Sequence, residues 1–385
     1  VTPFLNKLSN EGLFFENFYP QHSVGTSSDS EFTFSTSLLP INNGTVFMTH
    51  ANRDFETIQK LLKKEGYYTM SMHGNNGDFW NRNVMHNTLG YDRFFSQGDY
   101  EIDEEIGLGL SDMSFFRQSI EKIQEIKEQE QGIPIMATLI TLTNHYPFDD
   151  VDKYGEFDVG HLEGTDIGNY LKSFHYADMA LESFVEGMDE AGLLDNAVLV
   201  LYGDHHAKIS KADYTRVYNY NEDMDIYYTA DDAEYNPIDE AFHKTLRKTP
   251  FIIWSKDAEL NKTISTPMGM VDALPTLGNM LGVYNQYQLG VDMMSTDFNT
   301  VIFPDGSWLN NDSYYSATDS KLFSLNGDMI AEDTEVIYDR EFVDNTIELS
   351  NNIIQSNLIK HYNTMIANNK IKPHEKPVNI ESNTM

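Results

Sequence analysis

Short apolar runs of β type alternate with longer amphipathic stretches along most of this chain, and no other feature limits its fold so tightly. Residues 13–19, 67–72, 133–142, 197–201 and 251–254 read as strands. Residues 57–64, 113–129, 170–191 and 270–281 carry the 3.6-residue period of helices, and Phe4, Leu5 and Leu8 mark a short opening helix. Strands separated by helices of this length predict an α/β fold with a mostly parallel sheet covered on both faces. The long apolar run 133–142 reads as a central strand of that sheet.

Two regions depart from the rhythm. Residues 218–241 are acidic, tyrosine-rich and aperiodic, the mark of a surface excursion. From residue 290 the pattern shifts to short alternating runs with the turn signals Asp305-Gly306 and Asn326-Gly327, which predict a small antiparallel subdomain. The reading is therefore a large α/β unit over 1–289, a small sheet plus a closing helix (346–367) over 290–370, and a polar tail over 371–385.

Charge excludes several functions. The 385 residues hold 26 basic against 60 acidic side chains, a formal charge of −34, which argues against nucleic-acid partners and against adsorption to an anionic membrane surface. With no cysteine, neither a disulfide framework nor thiol catalysis is available. No run reaches the roughly 18 to 20 apolar residues that span a bilayer. The opening Val1-Thr2-Pro3-Phe4-Leu5 enters a helix at once, so the sequence reads as a soluble piece of a longer protein.

Chemistry concentrates where the apolar run 197–201 ends in Tyr202-Gly203-Asp204-His205-His206. A strand ending this way delivers a carboxylate and an imidazole to the carboxyl edge of a sheet, where open α/β folds bind ligands. Oxygen donors with one imidazole suit Mn2+, with Mg2+ as the alternative, better than soft-ligand zinc. Upstream, Gly25-Thr26-Ser27-Ser28-Asp29-Ser30-Glu31 contains a Ser-x-x-Glu capping box, which predicts a helix starting there with free backbone N–H groups toward a phosphoryl ligand. No Ser-His-Asp pattern supplies a base, so a hydroxyl activated by a divalent cation is the economical nucleophile.

Taken in order, Val1-Thr2-Pro3-Phe4-Leu5-Asn6-Lys7-Leu8, residues 25–31, His73-Gly74, Phe79-Trp80-Asn81-Arg82, Thr143-Asn144-His145-Tyr146-Pro147-Phe148 and Tyr202-Gly203-Asp204-His205 resemble the extracellular catalytic domain of lipoteichoic acid synthases, the sulfatase-like phosphoglycerol transferases of Gram-positive bacteria. The resemblance implies an alkaline-phosphatase/sulfatase-like fold with a small C-terminal sheet and a Mn2+ site. It implies a threonine that takes glycerol phosphate from phosphatidylglycerol and passes it to a growing glycerol-phosphate polymer. It also implies a place on the extracellular face of the cell membrane, held by N-terminal helices that this sequence does not include.

Carried over by position, Asp204, His205 and the nucleophile hydroxyl match metal ligands. His73, Trp80, Arg82 and His145 match the pocket for the glycerol-phosphate head group, where Arg82 is expected to clamp phosphate oxygens bidentately and His73 and His145 to donate hydrogen bonds. Residue type selects Thr26 as nucleophile, and counting back from Asp29 selects Ser27. The family's His-Gly-Asp is here His73-Gly74-Asn75, and its glutamate ligand lies on a strand upstream of Val1. Rival readings are a sulfatase or phosphoethanolamine transferase of the same superfamily, a non-catalytic protein that binds glycerol-phosphate polymer, and a metal-free structural module.

Overall fold

In the computed structural model, which describes residues 1–325, 329–332 and 337–372, the alternation becomes an α/β core with two sheets side by side. Helix α1 (Pro3–Glu11) starts on a proline, buries Phe4 and Leu8 one turn apart, and is capped from outside. The backbone N–H groups of Phe4 and Leu5 donate to the buried Asp178 carboxylate at 2.9 and 2.7 Å. Strand β1 (Leu13–Tyr19) follows, then α2 (Ser27–Thr36), α3 (Ile58–Lys64), β2 (Tyr68–His73), α4 (Arg82–Leu89) and β3 (Arg93–Phe95). The chain continues through α5 (Asp112–Gln129), β4 (Ile135–Ile140), α6 (Asp166–Glu190), β5 (Leu199–Tyr202), β6 (Thr249–Trp254), β7 (Lys262–Ile264), β8 (Met268–Gly269) and α7 (Ala273–Leu281).

The first sheet runs β7-β1-β6-β5, with β8 also on β1, and the second runs β3-β2-β4. Pairings within the second sheet and between β1 and β7 or β8 are parallel, as expected. The exception is β6, antiparallel to both β1 and β5. The cause is topological: after β5 the chain stays at one end of the sheet through the excursion, where residues 220–227 form a small ribbon, and so re-enters in the opposite direction.

The run 133–142, expected as a central strand, has one open edge among the described strands. Strand β4 pairs with β2 on one side, and β5 pairs with β6 on one side; among the described strands neither has a partner on its other edge. These open edges flank a cleft of about 1190 Å³ lined by every residue of β4 and β5. Phe116, Leu181 and Phe184 of α5 and α6 wall one face, and Phe34, Leu62 and Leu277 of α2, α3 and α7 the other.

Beyond residue 300, Val301–Ile302, Trp308–Leu309, Ser313–Ser316, Lys321–Ser324 and Met329–Glu332 form the expected antiparallel meander. The Asn326-Gly327 turn and the tail beyond residue 372 lie outside the described residues. The single closing helix is in fact two, α8 (Ile337–Gln355) and α9 (Leu358–Ala367). Asn357 breaks it by adopting φ +49, a conformation asparagine tolerates, while its side chain accepts from Asp54 N–H at 2.9 Å. No described helix is long and apolar enough to cross a membrane.

Candidate active site

All eight residues singled out from sequence line one cleft: Thr26, Ser27, His73, Trp80, Arg82, His145, Asp204 and His205. They sit where β1, β2, β4 and β5 end, the carboxyl edge expected of an α/β sheet.

Thr26 is the N-cap of α2, with φ +41 and ψ −110 and no capping bond from its side chain. Positive φ is strained for a β-branched residue and persists only where surrounding structure over-determines it. Here the surroundings do so. The buried Asp29 carboxylate accepts from Ser23 N–H at 2.9 Å and Gly25 N–H at 3.0 Å, and Ser28 Oγ donates to Gly25 O at 2.8 Å. Burial raises Asp29 to about 6, against those backbone hydrogen bonds. The hydroxyl of Ser30 donates to the backbone carbonyl of Asp204, tying the first turn of α2 to the end of β5.

The capping box does not form. Ser28 faces back to Gly25, and Glu31 turns inward to Arg82. Glu31 Oε1 accepts from Arg82 Nη2 at 2.6 Å and Nε at 3.0 Å, and both side chains are buried, at 9% and 2% exposure. The expected two-pronged clamp of Arg82 on phosphate is therefore already engaged by protein, and Nη1 is the donor left on the His73 side.

His73 also differs from expectation. Its Nδ1–H donates to Ile140 O at 3.0 Å and its Nε2 accepts from Arg82 Nη1 at 3.3 Å. Burial, then the Arg82 charge, lowers it to about 4, so the neutral ring has no proton left to give a ligand. His145 donates from Nδ1 to Tyr146 O at 2.6 Å and is likewise held below the usual histidine range by burial. Its Nε2 is then an acceptor, suited to a hydroxyl. The loop bearing His145 is fixed by Asp112, which accepts from Leu142 N–H at 2.8 Å and Thr143 N–H at 3.1 Å. Trp80 has φ +57, stacks edge-on with Phe79, and packs on the core around Phe47 and Met85 while lining the cleft.

At the end of β5, His205 Nδ1–H donates to His206 O at 3.0 Å, which fixes the tautomer with Nε2 free for a cation. Asp204 Oδ2 lies 3.8 Å from that Nε2, and the Asp204 side chain is 38% exposed. This pair fits a hard cation in donor type. Among the described residues, however, no three His, Asp or Glu side chains converge as a metal set.

Sequence reasoning missed His22 and the role of His206. The two rings stack at 5.2 Å with His22 Nε2 3.2 Å from His206 Nδ1, and His22 and His145 flank His205 at 5.8 and 5.9 Å. Burial, then His22, lowers His206 to about 3. The one signal for His22 was its position just after β1.

Compared with known proteins, residues 1–283 fit the family model described as Sulfatase. The chain belongs to the sulfatase family. Within it, the chain is 33% identical over 368 residues to the lipoteichoic acid synthase-like YvgJ of Bacillus subtilis (strain 168), covering 94% of this chain and 56% of that protein. It is 31% identical over 372 residues to lipoteichoic acid synthase 1 of the same organism, covering 94% and 55%. The chain thus spans about half the length of the curated relatives it matches. The crystal structure of the lipoteichoic acid synthase LtaP from Listeria monocytogenes superposes with a TM-score of 0.76 at 25% identity, over 94% of this chain and 86% of that one. The sulfatase-family fold expected from the ordered motifs is the fold found, with a mixed rather than mostly parallel main sheet.

Proposed function

We propose that this sulfatase-family chain is the catalytic part of a phosphoglycerol transferase, which moves glycerol phosphate from phosphatidylglycerol to a glycerol-phosphate polymer on the extracellular face of the membrane. One observation carries the reading: Thr26, strained at the N-cap of α2, shares a cleft with Asp204 and His205, and Ser30 ties the two elements together. The similarity to lipoteichoic acid synthases supports the reading.

Thr26 Oγ1 attacks phosphorus, the diacylglycerol oxygen leaves with the proton the hydroxyl gives up, and a glycerophosphoryl-threonine remains. A terminal hydroxyl of the polymer then attacks the same phosphorus, and Thr26 Oγ1 leaves with the proton which that hydroxyl gives up. The N-terminal N–H groups of α2 favour the phosphoryl charge, Arg82 Nη1 and the His145 Nε2 acceptor meet the glycerol end, and Trp80 covers it. Thr26, Asp204 and His205 would hold Mn2+ or Mg2+, which when bound lowers the pKa of the hydroxyl and offsets charge on the phosphoryl oxygens.

The partial ligand set has a structural counterpart in the open edges of β4 and β5. A strand inserted between them, parallel to both and joined to β1 through α1, makes a βαβ unit and ends beside Thr26 and Asp204, where one carboxylate on it completes the set. We assign that strand to the polypeptide preceding Val1. With the strand in place, Asp204→Ala and chelation by EDTA are each expected to abolish release of diacylglycerol while circular dichroism stays unchanged; full activity in EDTA would refute the metal assignment.

A further inference from the structure

Arg82 is held from behind by an ordered relay. Glu31 Oε1 accepts from Arg82 Nε and Nη2, Glu31 Oε2 accepts from His86 Nε2 at 2.8 Å, and His86 Nδ1 accepts from Ser71 Oγ at 2.9 Å. The His86 ring is packed against Phe47, Tyr91 and Phe94. Burial works against ionising Glu31, but the Arg82 charge and the His86 hydrogen bond win and lower it to about 2. Folding alone does not call for such a pair, since a buried ion pair is often replaceable by apolar side chains at no loss of stability. This pair lies in the wall of the ligand cleft.

Glu31 stands five residues after Thr26 on one rigid helix, a rise of about 7.5 Å. The helix that presents the candidate nucleophile therefore also carries the carboxylate that anchors Arg82. We propose that Glu31 and His86 are positioning residues which fix the Arg82 guanidinium at a set distance from Thr26, so that Nη1 meets the glycerol end of a head group whose phosphorus lies at Thr26. This rests on the head-group reading above. Glu31 leaves Arg82 with its cationic edge toward His73 and supplies the local countercharge, so the corner is near neutral overall and suits a polyol hydroxyl better than a second phosphate.

The test uses Glu31→Gln, His86→Gln, Arg82→Met and the Glu31→Gln/Arg82→Met double variant in the full chain. Arg82 Nε–H exchange, read by NMR and assigned by its loss in Arg82→Met, reports the anchor directly. It should be slow in the wild type and fast in Glu31→Gln and His86→Gln. Binding of sn-glycerol phosphate, by calorimetry, should weaken about tenfold or more in Glu31→Gln, with the double variant no weaker than Arg82→Met alone. Unchanged Nε–H exchange, or additive losses in the double variant, would overturn the proposal, as would a lowered melting temperature with unaltered binding. A wild type with an ordered Arg82 that binds no glycerol phosphate would uphold the anchor and refute the head-group reading instead.

Discussion

Gly25 N–H donates to Asp29 Oδ2 at 3.0 Å, and this bond closes the turn on which Thr26 is held at positive φ. A Cβ on Gly25 would stand 2.6 Å from Asp29 Cγ and 2.8 Å from Ser28 Oγ, too close for either to remain in place. Gly25→Ala is expected to cost about 1–3 kcal/mol of stability by overpacking. Transfer activity should fall further than stability does, because the turn aims the hydroxyl. Urea unfolding and release of diacylglycerol, measured on the same protein, separate the two effects.

Removing Arg82 alone strands a carboxylate. Since Glu31 and Arg82 are both buried, Arg82→Ala should destabilise by about 3–5 kcal/mol, whereas Glu31→Gln/Arg82→Met should recover much of that loss. Denaturant midpoints of the three proteins check this, and equal midpoints for the single and double variants would contradict it.

Buried carboxyls set an unusual pH dependence, Asp112 and Asp272 among them with Asp29. Burial raises Asp112 and Asp272 from 3.8 to about 6 against the hydrogen bonds each accepts. A carboxyl whose folded pKa exceeds its unfolded pKa favours the native state while protonated, and that advantage is lost as pH rises from about 3.8 through about 6. The stability of the wild type relative to Asp272→Asn should therefore decline between pH 4 and pH 7. A difference that rises over that interval would contradict the assignment.

The cleft between β4 and β5 is apolar along most of its length, and residues 1–385 alone should bind an apolar fluorophore there. Extending the chain with the proposed upstream strand should abolish that binding and raise the melting temperature. Undiminished dye binding in the extended chain would show that the strand does not enter the cleft.

Much of this was legible in the residues. Strand ends at His73 and Asp204 and the α2 N-terminus near Thr26 follow from local periodicity and turn chemistry, which a sequence displays directly. Glu31 was misread because Ser28-x-x-Glu31 has local capping spacing, while its true partner Arg82 is 51 residues away. The grip of Arg82 on Glu31 is hidden from the sequence for the same reason. The apolar run of β4 is that of a strand buried on both faces, and a sequence pattern of this kind does not reveal which of its edges the described strands pair. The antiparallel β6 depends on where the excursion ends, which periodicity does not report.

The central claim is that Thr26 takes the glycerophosphoryl group. Thr26, the N-cap of α2, and Ser27, its first helical residue, both line the cleft, so the position of the adduct distinguishes them. The decisive measurement is to incubate the strand-extended protein with phosphatidylglycerol and Mn2+, quench in acid, and fragment the peptide carrying residues 25–31 in a mass spectrometer. The account predicts a glycerophosphoryl mass on Thr26. An adduct on Ser27, or no adduct in a protein that still releases diacylglycerol, would contradict it.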